Sequence, residues 1–303
     1  MTVPGLSRRS VLASASGAAA LQGVGAEARS AEAAPTTRTR RAYGSCVYGQ
    51  VHMRIAEPAG RARKPPLVCL HQSPASGDAF REFQNVMARG RMVVCPDMPG
   101  YGGSDAPPAP PTMADYGAAT RAALKTAGIA GPVDLLGFHT GNFVAMEMAL
   151  QNPASVRRLV MPAIPYYPAQ ARAEKRTQFA QPRPLFDDPG YLARNWKETV
   201  LDRRVPGVSQ ERHLDLFVER LRAGTRSWYG FDAVFRYDAD SRLAALTHPV
   251  LCPILNETLA EPTRAAARLI PHVTVTECMD LDGWAWQAQP ERLVAAIAPF
   301  LDA

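Results

Sequence analysis

The run Val133-Asp134-Leu135-Leu136-Gly137-Phe138-His139-Thr140-Gly141-Asn142-Phe143-Val144-Ala145-Met146 changes its hydrophobic period in midcourse. Val133 to Leu136 is a short apolar run of strand type, Gly137 to Gly141 a tight turn, and Asn142 to Leu150 places Phe143, Met146 and Leu150 at helical spacing. Glycine at 137 and 141 removes the Cβ where strand and helix must approach. The residue between them, His139, is therefore expected in unfavourable backbone geometry at the base of a pocket.

Outward from this turn, short apolar runs alternate with helical patterns, the mark of a mostly parallel sheet covered by helices on both faces. A hairpin is expected from Cys46 to Tyr48 and Val51 to Ile55, turning at Gly49-Gln50. Strands follow at Pro66–Leu70, Arg91–Cys95, Val133–Leu136, Val156–Met161, Val250–Leu255 and Val273–Cys278. Helices are expected over Gly77–Ala88, from a Thr112 cap to Ala127, near Pro262–Leu269 and over Pro290–Leu301. Between Pro162 and Tyr237 the alternation stops, and Arg, Pro and aromatic residues dominate. This segment is expected to be helical and to lie over the pocket.

At 303 residues, 47% hydrophobic and 20% charged, the chain can bury one large core or two modest ones. The net charge of +6 is concentrated at the start, since residues 1 to 41 hold six Arg against two Glu. No basic cluster interleaved with aromatics appears in the remainder, so a nucleic-acid partner is not expected. The N-terminus reads as an address: Ser7-Arg8-Arg9-Ser10-Val11-Leu12 precedes an Ala/Gly/Ser-rich run and an A-x-A site at Ala26 and Ala28. It resembles a twin-arginine signal, which implies export to a periplasmic or extracellular destination. The apolar run falls short of the ~20 residues of a spanning helix, so no stable membrane span is expected. Of five cysteines, Cys69, Cys95, Cys252 and Cys278 sit in or at the end of apolar runs and read as buried small hydrophobes, leaving Cys46 as the odd one.

Three segments resemble the α/β-hydrolase superfamily, in the order that family uses. Leu70-His71-Gln72-Ser73-Pro74 stands where the family reads H-G-x-P and supplies an oxyanion-hole N–H. Asp97-Met98-Pro99-Gly100-Tyr101-Gly102-Gly103-Ser104-Asp105 is similar to its D-x-P-G-x-G-x-S loop. Gly137-Phe138-His139-Thr140-Gly141 resembles the G-x-S-x-G nucleophile elbow. The resemblance implies an α/β fold of the α/β-hydrolase type: a mostly parallel central sheet, helices on both faces and a helical cap insertion. It divides the chain into a signal and disordered segment at 1–34, core at 42–164, cap at 165–242 and core again at 243–303.

The departures bear on chemistry. Histidine stands at the nucleophile position, and no displaced G-x-S-x-G occurs elsewhere. Where the family carries its acid, the chain reads Leu255-Asn256-Glu257-Thr258-Leu259, with Glu257 the carboxylate close to the right place. With the register set by Gln289-Pro290-Glu291, the family's relay histidine falls on Gly283, beside Asp282 and Trp284. A serine–histidine–acid relay cannot be written with these residues.

For His139 four readings stand open: nucleophile through an acyl-imidazole, general base toward water, metal ligand, or inert group in a pseudoenzyme pocket. Metal ligation is the weakest, because the other histidines show no pair at i,i+4 spacing and no ligand cluster. An imidazole reaches farther than a seryl hydroxyl, so one placement extends His139 toward the vacated position 283 to meet a carboxylate, Glu257 first and Asp282 second. The rival placement leaves both acids solvated. The resemblance implies an oxyanion hole from Gln72, Ser73 and Thr140, and a pocket that includes His71, Phe138 and Trp284. The function implied is a cofactor-independent, metal-free hydrolase of ester, lactone or C–C bonds, or a lyase or isomerase, acting on a small, mainly apolar substrate. The alternative is an inactive small-molecule-binding pseudoenzyme.

Overall fold

Leu67 and Cys69 pack into one apolar cluster and Val68 and Leu70 into another, because successive side chains on a strand point to opposite faces. The computed structural model describes residues 37–62 and 64–303; the expected signal and disordered segment, 1–34, lies outside them. Eight strands form one sheet: β1 (Thr37–Cys46), β2 (Gly49–Pro58), β3 (Lys64–Leu70), β4 (Arg91–Pro96), β5 (Val133–Gly137), β6 (Val156–Val160), β7 (Val250–Asn256) and β8 (Val273–Asp282). Their order is β1-β2-β4-β3-β5-β6-β7-β8, antiparallel at β1/β2 and β2/β4 and parallel from there on.

The helices are α1 (Arg81–Met87), α2 (Met113–Thr126), α3 (Thr140–Gln151), α4 (Ala169–Phe179), α5 (Pro189–Trp196), α6 (Gln210–Arg222), α7 (Tyr229–Arg236), α8 (Ala239–Ala244), α9 (Ala260–Ala267), α10 (Ala285–Ala288) and α11 (Pro290–Asp302). Residues of α2, α3 and α9 join the cluster under Val68 and Leu70, whereas α1, α10 and α11 join the cluster under Leu67 and Cys69. Helices therefore cover both faces. All five residues of β5 are buried, which explains why it reads as a continuous apolar run without alternation.

Local chemistry sets the boundaries. Thr112 caps α2 through a reciprocal capping box with Asp115, where the Thr112 side chain accepts from the Asp115 N–H. The hairpin differs from expectation: Cys46 pairs with Gly49, so the turn is Val47-Tyr48 and Gly49 closes it with φ 111°. A positive φ suits glycine, and that is the role it fills there. The run Gly77–Ala88 is also not one helix, since Gly77–Phe80 is 3₁₀ and only Arg81–Met87 is α-helical. Between β6 and β7, five helices and one turn of π-helix at Lys197–Leu201 occupy the interval, and no strand occurs among its residues.

The cysteines are free thiols. Cys69, Cys95, Cys252 and Cys278 are buried and Cys46 is half-buried. Burial alone pushes the Cys252 thiol up to about 12, so it stays protonated and behaves as a small hydrophobe. Among the described residues no helix is long and apolar enough to cross a membrane.

Candidate functional site

The turn between β5 and α3 places His139 at φ 49°, ψ −116°, a region that residues with a Cβ seldom occupy. Gly137 and Gly141 make the turn possible. A Cβ on Gly141 would lie 1.8 Å from the Leu70 carbonyl oxygen, and one on Gly137 would lie 2.4 Å from the Asn142 Cα. The helix consequently begins against the end of β3. Asn142 Nδ2 ties the same turn to the end of β6 by donating to the Pro162 and Ala163 carbonyls at 2.7 and 3.2 Å.

From this turn the His139 side chain crosses to the far end of β7, where its Nε2 lies 3.1 Å from Glu257 Oε2. Glu257 stands in the turn that follows β7, its backbone N–H donating to the Leu255 carbonyl at 2.9 Å. The contact joins residues 118 apart in the chain. A Cβ on Gly283 would come 3.2 Å from the same Glu257 oxygen. A carboxylate in its anionic form can only accept, and toward it Nε2 would donate, leaving Nδ1 its lone pair. Nδ1 has no protein hydrogen-bond partner among the described residues. The imidazole is a third exposed and the Glu257 side chain 14% exposed, so this pair sits at a cavity wall rather than in the core.

That cavity, of about 400 Å³, lies between the sheet's C-terminal edge and the helical insertion. Ser73, His139 and Thr140 line one side; Tyr167, Phe179, Phe231 and Phe235 line the other. Its size falls in the range of small-molecule sites, and its wall is mostly apolar with a few polar groups, the usual composition of such sites. Lys175, from α4, also lines it, with Nζ 4.7 Å from the Tyr167 ring centroid. Burial, then the charge of Glu257, raise the pKa of the Tyr167 hydroxyl.

The Thr140 N–H is the first of α3 and has no intrahelical acceptor. The Ser73 N–H does not point freely into the cavity, since it donates to Thr140 Oγ1 at 3.3 Å. Gln72 departs from expectation: it lines a different, smaller cavity, and its side-chain oxygen is buried without a partner. Phe138 and Trp284 belong to that second cavity too, not to the one containing His139. Phe138 packs against the imidazole, ring centroids 4.3 Å apart, and so stands between the two cavities.

His71 is in neither cavity. It is fully buried, Nδ1 donates to the Gln72 carbonyl at 2.9 Å, and Nε2 accepts the Met98 N–H at 2.9 Å. Burial depresses its pKa, opposed by the charge of Asp97, so it is a neutral ring that braces two loops. Asp282 also stands apart from His139. It is exposed, and its Oδ1 accepts the Trp284 N–H at 2.8 Å, which starts the turn into α10. Tyr167 belongs to the aromatic-rich segment expected over the pocket, whereas Lys175 escaped the sequence reading because α4 buries no residue and shows no apolar face that would aim its side chains. Among the described residues no group of three or more His, Cys, Asp or Glu is placed to hold a metal ion.

A family described as alpha/beta hydrolase fold matches residues 65–222. The chain is 30% identical over 253 residues to a 2-hydroxy-6-oxononadienedioate/2-hydroxy-6-oxononatrienedioate hydrolase from Pseudomonas putida, a match that spans 75% of this chain and 85% of that protein. Among solved structures, a hydrolase from Pseudomonas aeruginosa superposes with a TM-score of 0.69 at 22% identity, covering 87% of this chain and 98% of that one. A thermophilic esterase from Thermogutta terrifontis gives 0.68 at 19%, with the same coverage.

Proposed function

We propose, from the premise that this chain belongs to the alpha/beta hydrolase fold family, that it is a cofactor-independent enzyme in which His139 and Glu257 act together as a general base. The observation that carries the proposal is the 3.1 Å contact between His139 Nε2 and Glu257 Oε2. Glu257 holds the ring in one tautomer and stabilises the imidazolium that forms when Nδ1 takes a proton. Nδ1 is flanked by the carbon that bears the side chain, which hinders attack on a carbonyl but not capture of a proton. The geometry therefore favours the base reading over an acyl-imidazole.

The reaction class that fits is hydrolysis, with water as the nucleophile, or proton abstraction next to a carbonyl. In either case, negative charge develops on a carbonyl oxygen. The Thr140 N–H is the donor best placed to receive it, and the Ser73 N–H could join once substrate displaces its contact with Thr140 Oγ1. The substrate is small and mainly apolar where it meets the aromatic wall formed by Tyr167, Phe179, Phe231 and Phe235. The related Pseudomonas putida protein is named as a hydrolase of an oxo-dienedioate, which supports including C–C bonds beside esters and lactones. The twin-arginine-like N-terminus supports an exported enzyme.

The test is a panel of aryl esters, lactones and enolisable ketones, read by turnover and by solvent-deuterium incorporation. Glu257→Gln is expected to lower kcat by on the order of 10²–10⁴-fold with little change in KM, and His139→Ala by at least as much. Turnover unaffected by either substitution overturns the base assignment. No turnover or exchange on any substrate favours a binding protein.

A further inference from the structure

Arg41 and Arg54 stand directly opposite each other on β1 and β2, and Tyr43 and His52 are opposed two residues along, on the same face of the hairpin. Like charges in directly opposed cross-strand positions are unfavourable. All four residues line a cleft of about 520 Å³ between this hairpin and α6. We propose that the cleft binds a tetrahedral oxyanion, phosphate or sulfate, either free or as the head of a small organic monoester.

Four carboxylates also line the cleft, and each is already engaged. Asp78 is held by Arg81 and Arg212, Asp215 by Arg81, and Glu219 by Arg222. Asp97 is buried and accepts from the Gly77 and Gly103 N–H groups at 2.8 Å each and from His52 Nδ1 at 2.9 Å. The two hairpin arginines are in the opposite condition. Neither forms an ion pair among the described residues, and the one side-chain hydrogen bond between them is from Arg54 Nε–H to Gln84 Oε1 at 2.9 Å. The Arg54 Nη groups are unbonded yet not enclosed, so they open on the cleft. Burial lowers the pKa of this guanidinium, opposed by the charge of Asp78 and reinforced by the like charges of Arg81 and Arg41. A half-buried cation beside a second cation is unfavourable until an anion joins them.

The chemistry of the two walls selects the anion. Paired guanidinium groups present planar forks of N–H donors that match the oxygens of phosphate or sulfate. A phosphate monoester carries roughly −1.5 to −2 charges near neutral pH, which balances both arginines where a single carboxylate would not. Beside them the cleft turns apolar. Tyr43 packs edge to face on the His52 ring, centroids 5.3 Å apart, and Leu214 and Val218, one turn apart on α6, are 37% and 43% exposed. These side chains suit the organic part of a monoester. The cleft shares no lining residue with the cavity beside His139, so the base reading and this site stand or fall separately.

The experiment is calorimetric and thermal-shift titration of the folded protein at low salt with inorganic phosphate, sulfate, phenyl phosphate and phenyl sulfate, and with phenol as the uncharged control. The oxyanions are expected to bind and raise the Tm, phenol to do neither, and the affinity to fall as sodium chloride is added. Arg41→Gln with Arg54→Gln should lower phosphate affinity at least tenfold. Arg40→Gln, on the other face of β1 and paired with Glu57, should leave it unchanged. Arg41→Gln alone, at an exposed position, has a second signature: it should raise the Tm of the ligand-free protein at low salt while weakening phosphate binding, because it relieves the opposed charges as it removes a donor fork. Phosphate binding should persist in His139→Ala. No binding of any oxyanion, or phosphate affinity unchanged in the double variant, overturns the proposal; if the double variant fails to fold, unchanged affinity in Arg41→Gln overturns it instead. Tighter binding of phenyl phosphate than of phosphate, with the difference lost in Tyr43→Ala, assigns an organic monoester, and equal affinity assigns the free ion; both support the site.

Discussion

His71 and His139 follow β3 and β5, neighbouring parallel strands whose ends lie side by side, with Leu70 opposite Gly137. The two rings have opposite environments. His71 has no exposed surface, and both its nitrogens are engaged by backbone groups of adjacent loops. His139 is a third exposed, engaged at one nitrogen by a carboxylate, and free at the other. Strand-end position alone therefore does not make a histidine functional. What separates them is unused hydrogen-bonding capacity at an accessible surface: a saturated ring is a strut, and a half-saturated ring can still accept a proton.

Substitution at the two positions should divide stability from activity. His71→Ala leaves the Met98 N–H and Gln72 carbonyl without their partner and opens a cavity in the core, so a loss of about 2–4 kcal/mol is expected, measured by denaturant unfolding. A loss under about 0.5 kcal/mol would contradict the strut reading. At His139 the backbone rather than the ring sets the stability. His139→Gly should be more stable than His139→Ala by about 1–2 kcal/mol, because glycine alone adopts φ 49°, ψ −116° without strain. The reverse order would mean that the turn relaxes when the imidazole leaves. The smallest expected effect is with pH. Burial sets the folded-state pKa of His71 below its ordinary value of 6.5, so the unfolded chain binds that proton more tightly. Stability from this residue is complete above about 6.5 and declines as pH falls toward the depressed folded value, at no more than about 1.4 kcal/mol per pH unit. Unfolding measured between pH 7 and 5 should show a steeper loss in the parent protein than in His71→Ala; equal slopes would place the acid sensitivity elsewhere.

Much of the architecture was legible because strands and helices announce themselves by local period. The buried run of β5, the glycines at 137 and 141 and the capping Thr112 act over a few residues, and the chain carries them in the open. The first hairpin was displaced by two residues because a glycine can centre a turn or close it, and only the pairing of Cys46 with Gly49 distinguishes the two. The sequence left the contact of His139 with Glu257 as one of two placements, and the boundaries of the candidate site were less legible still. Gln72, Phe138 and Trp284 sit in the motifs beside the turn yet line the other cavity, since residues in connecting loops follow no fixed period and only packing decides which way they face.

The sequence by itself determined the strand–turn–helix around His139, the histidine at 139 and the glycine at 283, since these are matters of residue identity and short-range period. The tertiary structure alone decided that the imidazole meets Glu257 across 118 residues while Asp282, beside Gly283, turns outward to the Trp284 N–H. The physical reason is common to both. Backbone conformation is settled by neighbours in sequence, but where a long polar side chain points is settled by which opposite charge or open space lies within its reach, and that depends on how distant segments pack.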